Sequence, residues 1–161
     1  MTLISRILLQ ENVLLPLDAS SKKRVFEQVG QLVEKNNHIA RNLVFESLFN
    51  RERLGSTGLG EGVAIPHGRI KGLRDVVGAF VRLRTPIAFD APDGKPVSLL
   101  FVLLVPERAT DLHLQILGEL AQMFSDASLR KRLEESDDAA HIHDVLTSYS
   151  PDGPDKHTAA I

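Results

Sequence analysis

The stretch Val97–Val105, VSLLFVLLV, constrains the fold more than any other part of the chain, because Ser98 is its only polar residue. A half-exposed strand alternates apolar and polar side chains, whereas an unbroken apolar run of this kind suits a central strand covered on both faces. A chain containing such a strand must cover both sides of its sheet.

Helical spacing is found on both sides of that strand in the sequence. After Ser20 and Ser21, either of which can cap a helix, Val25, Val29, Leu32 and Val33 recur at i, i+4, i+7 and i+8, and the helix should stop near Asn36–Asn37. A second helix is expected from Asn42 to about Arg53, burying Leu43, Val44 and Leu48 with Phe45 and Phe49, and Gly55 is placed to end it. Further strands are read at Val63–Ile65 and Val76–Leu83, with Ile87–Phe89 as a short edge segment set off by Pro86. Helices follow at Asp111–Phe124, Ser128–Glu135 and Asp137 to about Ser148. These elements make a single-domain α/β sandwich over residues 1–149, and the polar segment 150–161 reads as a flexible tail.

Composition excludes several function classes. The net charge of −2 over 161 residues offers no general attraction to nucleic acid or anionic lipid. Without cysteine there are no disulfides, thiol nucleophiles or thiolate zinc sites. Arg6, Gln10, Glu11 and Asn12 interrupt the N-terminal apolar pieces before a signal-peptide core or a membrane span could form, so no membrane insertion and a cytoplasmic location are expected.

The chemistry concentrates between Arg51 and Gly68. Five of the eleven glycines fall there, at 55, 58, 60, 62 and 68, and such a segment could aim backbone N–H groups at an anion or simply be a flexible loop. Nucleotide-binding motifs fail: Gly94-Lys95 lacks the spaced upstream glycine and is followed by Pro96, and the segment leads into a strand rather than leaving one for a helix. His67 sits between Pro66, which stiffens the approach, and Gly68, which leaves room beside the ring. With an unperturbed pKa of about 6.5, its imidazole would hold a free lone pair at neutral pH, and a backbone hydrogen bond to one ring nitrogen would select the other for attack.

Two further residues qualify. His113 heads the stripe Leu117, Leu120, Ala121 and Phe124, which allows either a hydrogen-bonded core histidine or a second imidazole beside a phosphoryl group. Arg51, on the last turn of a helix entering the glycine segment, could cap carbonyls or clamp phosphate oxygens with its planar fork. His141 and His143, two apart on a helix, point to different faces and make a poor metal pair.

The blocks Arg51-Glu52, Leu54-Gly-Ser-Thr-Gly-Leu-Gly, Gly62-Val-Ala-Ile-Pro-His-Gly68, Thr85-Pro-Ile-Ala-Phe-Asp90, Leu99–Pro106 and His113-Leu-Gln resemble the IIA domains of the mannitol/fructose class of the bacterial phosphoenolpyruvate-dependent phosphotransferase system, its nitrogen-regulatory branch above all. The resemblance implies a mixed, mostly parallel sheet of about five strands flanked by helices on both faces. It also implies that His67 accepts phosphate on Nε2, that His113 is the second active-site histidine, and that Arg51 assists transfer. The implied donor is a histidine phosphocarrier protein, and the implied targets are regulated proteins such as potassium transport or sensor proteins, with no metal or nucleotide cofactor. A sugar-specific IIA component serving a separate IIB domain and a phosphate-binding module that is never modified are the alternatives. Loop N–H groups are expected to join Arg51 and His113 on the phosphoryl oxygens. Charge is consistent with a phosphate site: residues 51–74 carry five basic and two acidic side chains, a net of +3 in a chain that is negative overall.

Overall fold

The structure, a computed structural model, describes residues 3–108 and 111–149; the expected tail from Ser150 lies outside the described residues. Strand β6, Val97–Pro106, is the centre of a six-stranded sheet ordered β1-β5-β6-β3-β2, with β4 also paired to β6. Its neighbours are β5 (Val77–Ile87), antiparallel, and β3 (Val63–Ala64) and β4 (His67–Ile70), both parallel; β1 (Leu8–Leu17) runs parallel to β5, and β2 (Gly58–Gly60) antiparallel to β3. The fold class is the α/β sandwich read from the sequence, with a mixed sheet in which three of the five strand pairings are parallel.

The unbroken apolar run is explained by two separate cores. Leu100, Val102 and Leu104 face one core with Ala79 and Val81, while Leu99, Phe101, Leu103 and Val105 face the other with Phe80. Side chains alternate faces along a strand, so a strand that serves two cores has no solvent face on which a polar residue would belong. Helices α2 (Lys22–Asn37) and α3 (Arg41–Leu54) cover the first core through Val25, Phe26, Val29, Val33, Val44 and Leu48. The second is closed by α1 (Leu3–Ile7), α4 (Asp111–Phe124), α5 (Ala127–Glu135) and α6 (Ala139–Ser148). Ser21 caps α2 by accepting the Arg24 N–H, and Asp126 and Asp138 cap α5 and α6 in the same way.

Some expectations are corrected. Leu43 is 46% exposed, because Val44 and Leu48, at i and i+4, form the buried seam of α3 and Leu43 falls beside it. Phe45 and Phe49 are half-buried and meet edge to face at 5.4 Å. Pro86 does not separate a short edge segment: β5 continues to Ile87, which pairs with Val97 after an irregularity in the ladder.

One close approach fixes the site. A Cβ on Gly68 would lie 2.1 Å from Ser47 Oγ and 2.9 Å from the Ser47 carbonyl carbon and oxygen, so only glycine lets α3 press directly on β4. The Ser47 hydroxyl donates to the Arg69 carbonyl at 2.8 Å and locks the contact. The last turn of α3 is thereby set against the strand that begins at His67.

Candidate functional site

His67 opens β4, and its Nδ1–H donates to the Ile65 carbonyl at 2.8 Å. With Nδ1 as donor, the neutral ring carries its lone pair on Nε2. Partial burial, which penalises the imidazolium, is the largest influence holding the His67 pKa below its ordinary value. The bond to Ile65 opposes this, the Arg51 guanidinium adds to it, and the Glu52 carboxylate opposes it again; the net direction is down. The ring is therefore neutral at cellular pH and can act as a nitrogen nucleophile.

Arg51, His67 and His113, named separately from the sequence, line one cleft of about 480 Å³. Arg51 reaches it from the last turn of α3, and one arm of its guanidinium donates to the Gly55 carbonyl at 2.7 Å. That bond is the helix-end capping role considered above, but it uses only one of five N–H donors, and the cation still faces the cleft. His113, 6% exposed on the first turn of α4, is both a core residue and a lining residue, so the two readings of it are compatible. Asn50, Arg69 and Ser47 add polar groups, and among the described residues no carboxylate lines the cleft. Leu54 and Leu114, 85% and 69% exposed, form an apolar collar. A basic cleft with an apolar rim suits an anionic group.

The glycine segment behaves differently from the anion cradle expected of it. The N–H of Thr57 donates to Glu52, that of Gly58 to Ser56 Oγ and that of Glu61 to Asp93, while Ser56 Oγ donates to the Phe89 carbonyl at 2.6 Å. These donors are engaged by α3, by the segment before β6 and by Ser56, and Gly60 and Gly62, both at positive φ, serve the tight β2–β3 turn. The glycines shape the hairpin that delivers His67 and do not line the cleft, apart from Gly68.

Glu52 has a role that sequence reasoning misses. It is buried, accepts from Thr57 and pairs with Lys22 at 2.9 Å. The signal was available: an acidic residue in the last turn of a helix opposes the macrodipole and calls for a compensating partner. His143 Nε2–H donates to the Leu8 carbonyl at 2.8 Å, and among the described residues no group of three or more His, Asp or Glu is arranged to hold a metal. None of the described helices is long and apolar enough to cross a membrane.

A single-domain α/β protein with a mixed sheet thus presents a neutral histidine, an arginine and a second histidine in one cleft. Residues 6–149 match the family described as phosphoenolpyruvate-dependent sugar phosphotransferase system, EIIA 2, and the chain belongs to that family of phosphotransfer components. It is 42% identical over 144 residues to a nitrogen regulatory protein of Pseudomonas aeruginosa, covering 89% of this chain and 94% of the relative. It is 40% identical over 146 residues to the nitrogen regulatory protein of Escherichia coli K12, covering 89% of each. The crystal structure of nitrogen regulatory protein IIA-Ntr from Neisseria meningitidis superposes with a TM-score of 0.86 at 51% identity, covering 91% of this chain and all of that one.

Proposed function

We propose that this protein accepts a phosphoryl group on Nε2 of His67 from a phosphohistidine carrier protein and regulates other proteins according to its phosphorylation state. The observation that carries the reading is the Nδ1–H bond to the Ile65 carbonyl, which leaves Nε2 as the nucleophilic atom of a neutral ring in a cleft shared with Arg51 and His113.

The Nε2 lone pair attacks phosphorus in line, the carrier's N–P bond breaks, and its electron pair returns to the carrier's imidazole. The transition state is loose and spreads charge over the three equatorial oxygens, so positioning and fixed positive charge supply most of the catalysis. Arg51 and His113 are the groups assigned to those oxygens. The phosphorylated ring keeps its Nδ1–H and develops positive charge, which the Ile65 carbonyl dipole stabilises. No metal or nucleotide is required by these steps.

Phosphorylation would place about −1.5 to −2 charges beside Arg51 and Arg69. That cancels most of the positive charge of the cleft, giving regulated partners two surfaces to distinguish. Relatives named nitrogen regulatory protein favour the regulatory branch over a dedicated sugar-transport role.

Incubation with phosphoenolpyruvate, the first enzyme of the system and the carrier should give acid-labile label on wild type and none on His67→Ala. Normal labelling of the alanine variant would move the acceptor elsewhere; no label on wild type would leave a module that binds phosphate without being modified.

A further inference from the structure

Behind the cleft lies a buried ionic cluster that the transfer mechanism does not use. The Glu52 side chain, 5% exposed, accepts the Thr57 hydroxyl at 2.6 Å, the Thr57 N–H at 3.1 Å and the Lys22 ammonium at 2.9 Å. Lys22 also stands 4.6 Å above the Phe89 ring, and the Phe89 carbonyl holds Ser56. A carboxylate this deeply placed is maintained only by such partners, because removing it from water without them costs several kcal/mol.

From Glu52 a continuous hydrogen-bonded path leads to the reactive ring. Thr57, held by the carboxylate, accepts the Ile65 N–H on its own carbonyl at 3.0 Å, and the Ile65 carbonyl in turn accepts the His67 Nδ1–H at 2.8 Å. The same stretch of chain sets Arg51: the Gly55 N–H returns to the Glu52 carbonyl, and the Gly55 carbonyl accepts from the Arg51 guanidinium. Two of the three groups assigned to the phosphoryl transfer, His67 and Arg51, are thus hung from the loop that Glu52 pins.

We propose that Glu52, neutralised by Lys22, is a positioning residue for phosphoryl transfer, which through Thr57 and Ile65 fixes the orientation and the Nδ1–H tautomer of His67. The inference rests on His67 being the phosphoryl acceptor. The sign of the charge interaction agrees with it: Glu52 supports the basicity of His67 while Arg51 lowers it, so the carboxylate keeps the ring nucleophilic beside a guanidinium. A glutamine at 52 keeps the shape but not the charge: with its amide oxygen on the Thr57 N–H and Lys22, its NH2 end reverses the bond to the Thr57 hydroxyl and the Lys22 ammonium loses its carboxylate.

The experiment compares Glu52→Gln, Thr57→Val and Thr57→Ser with wild type in two measurements. The 15N shifts of the His67 imidazole, followed through a pH titration of the unphosphorylated protein, report tautomer and pKa; transfer from the phosphorylated carrier gives kcat and KM. Wild type and Thr57→Ser should hold the proton on Nδ1. Glu52→Gln should shift population to the Nε2–H tautomer, lower the His67 pKa and reduce kcat about tenfold with KM little changed, as expected for a misplaced reacting group. Thr57→Val should shift the tautomer and kcat the same way. A folded Glu52→Gln with the wild-type tautomer and kcat overturns the proposal. If Glu52→Gln does not fold, a Thr57→Val protein indistinguishable from wild type overturns it instead. The 15N comparison needs no phosphate, so wild type that takes no label at His67 defeats the acceptor reading while the role of Glu52 is still decided.

Discussion

Gly68→Ala should separate the two halves of the cleft, and the size of the effect follows from the contact that excludes a side chain there. The new methyl would stand 2.1 Å from Ser47 Oγ and 2.9 Å from the Ser47 carbonyl carbon and oxygen. Turning the Ser47 side chain away relieves only the first clash, and it breaks the bond to the Arg69 carbonyl, worth about 0.5–1.5 kcal/mol. The other two contacts are backbone, so α3 must move off β4, at the cost of about 1–3 kcal/mol typical of an overpacked core. Together these give a loss of about 1.5–4.5 kcal/mol, measured by urea unfolding with the m-value unchanged. Because Arg51 rides on α3 and His67 on β4, phosphoryl transfer should also slow. Adding Ser47→Ala should recover only part of the stability, since the backbone contacts persist. A Gly68→Ala protein within about 0.5 kcal/mol of wild type, the range of an ordinary surface change, would refute the claim that this glycine sets the spacing.

Arg51→Lys should lower the transfer rate although charge is retained, because an ammonium cannot both hold the Gly55 carbonyl and present a planar fork to phosphate; single-turnover transfer at wild-type speed would count against the clamp. His113→Ala should slow transfer while circular dichroism and the cooperative melt persist, with a stability loss of about 1–3 kcal/mol for an emptied core position; loss of the fold would leave His113 only its packing role. The depressed His67 pKa means that the unfolded chain binds the proton more readily, so folding stability should fall as pH drops below the unfolded value of about 6.5 and through the folded one. Melting temperatures of wild type and His67→Gln should therefore converge toward acid pH, and parallel curves would contradict the shift.

The central strand and the helices beyond residue 20 were legible because burial leaves a periodic trace: VSLLFVLLV has no polar face, and Val25, Val29 and Val33 recur at helical spacing, whereas the five-residue α1 is too short to leave one. Strand β1 left no such trace. It pairs with β5 through two register irregularities and carries Gln10, Glu11 and Asn12 at its middle, and Asn12 is buried only because Gly78 and Asn37 receive its amide and Asn36 donates to it. Strands β2 and β4 are three and four residues long, too short for periodicity. At the site, the local stiffness of Pro66-His67-Gly68 was readable, and so was the candidacy of Arg51 and His113. Their meeting in one cleft was implied by the family resemblance and by no spacing or periodicity, because it depends on Ser47 fitting against a missing Cβ some twenty residues away. The glycine-rich segment misled for the opposite reason: its composition permits an anion cradle, but whether its N–H groups are available is decided by tertiary partners such as Glu52 and Asp93.

Nε2 of His67 is the atom on which the proposed transfer turns, and NMR of the 15N-labelled protein after phosphorylation by its carrier addresses it directly. A single phosphoryl group per chain is expected, with 31P–15N coupling to Nε2 of His67 and the Nδ1–H signal retained. Coupling to Nδ1 of His67, or to a nitrogen of His113, would contradict it.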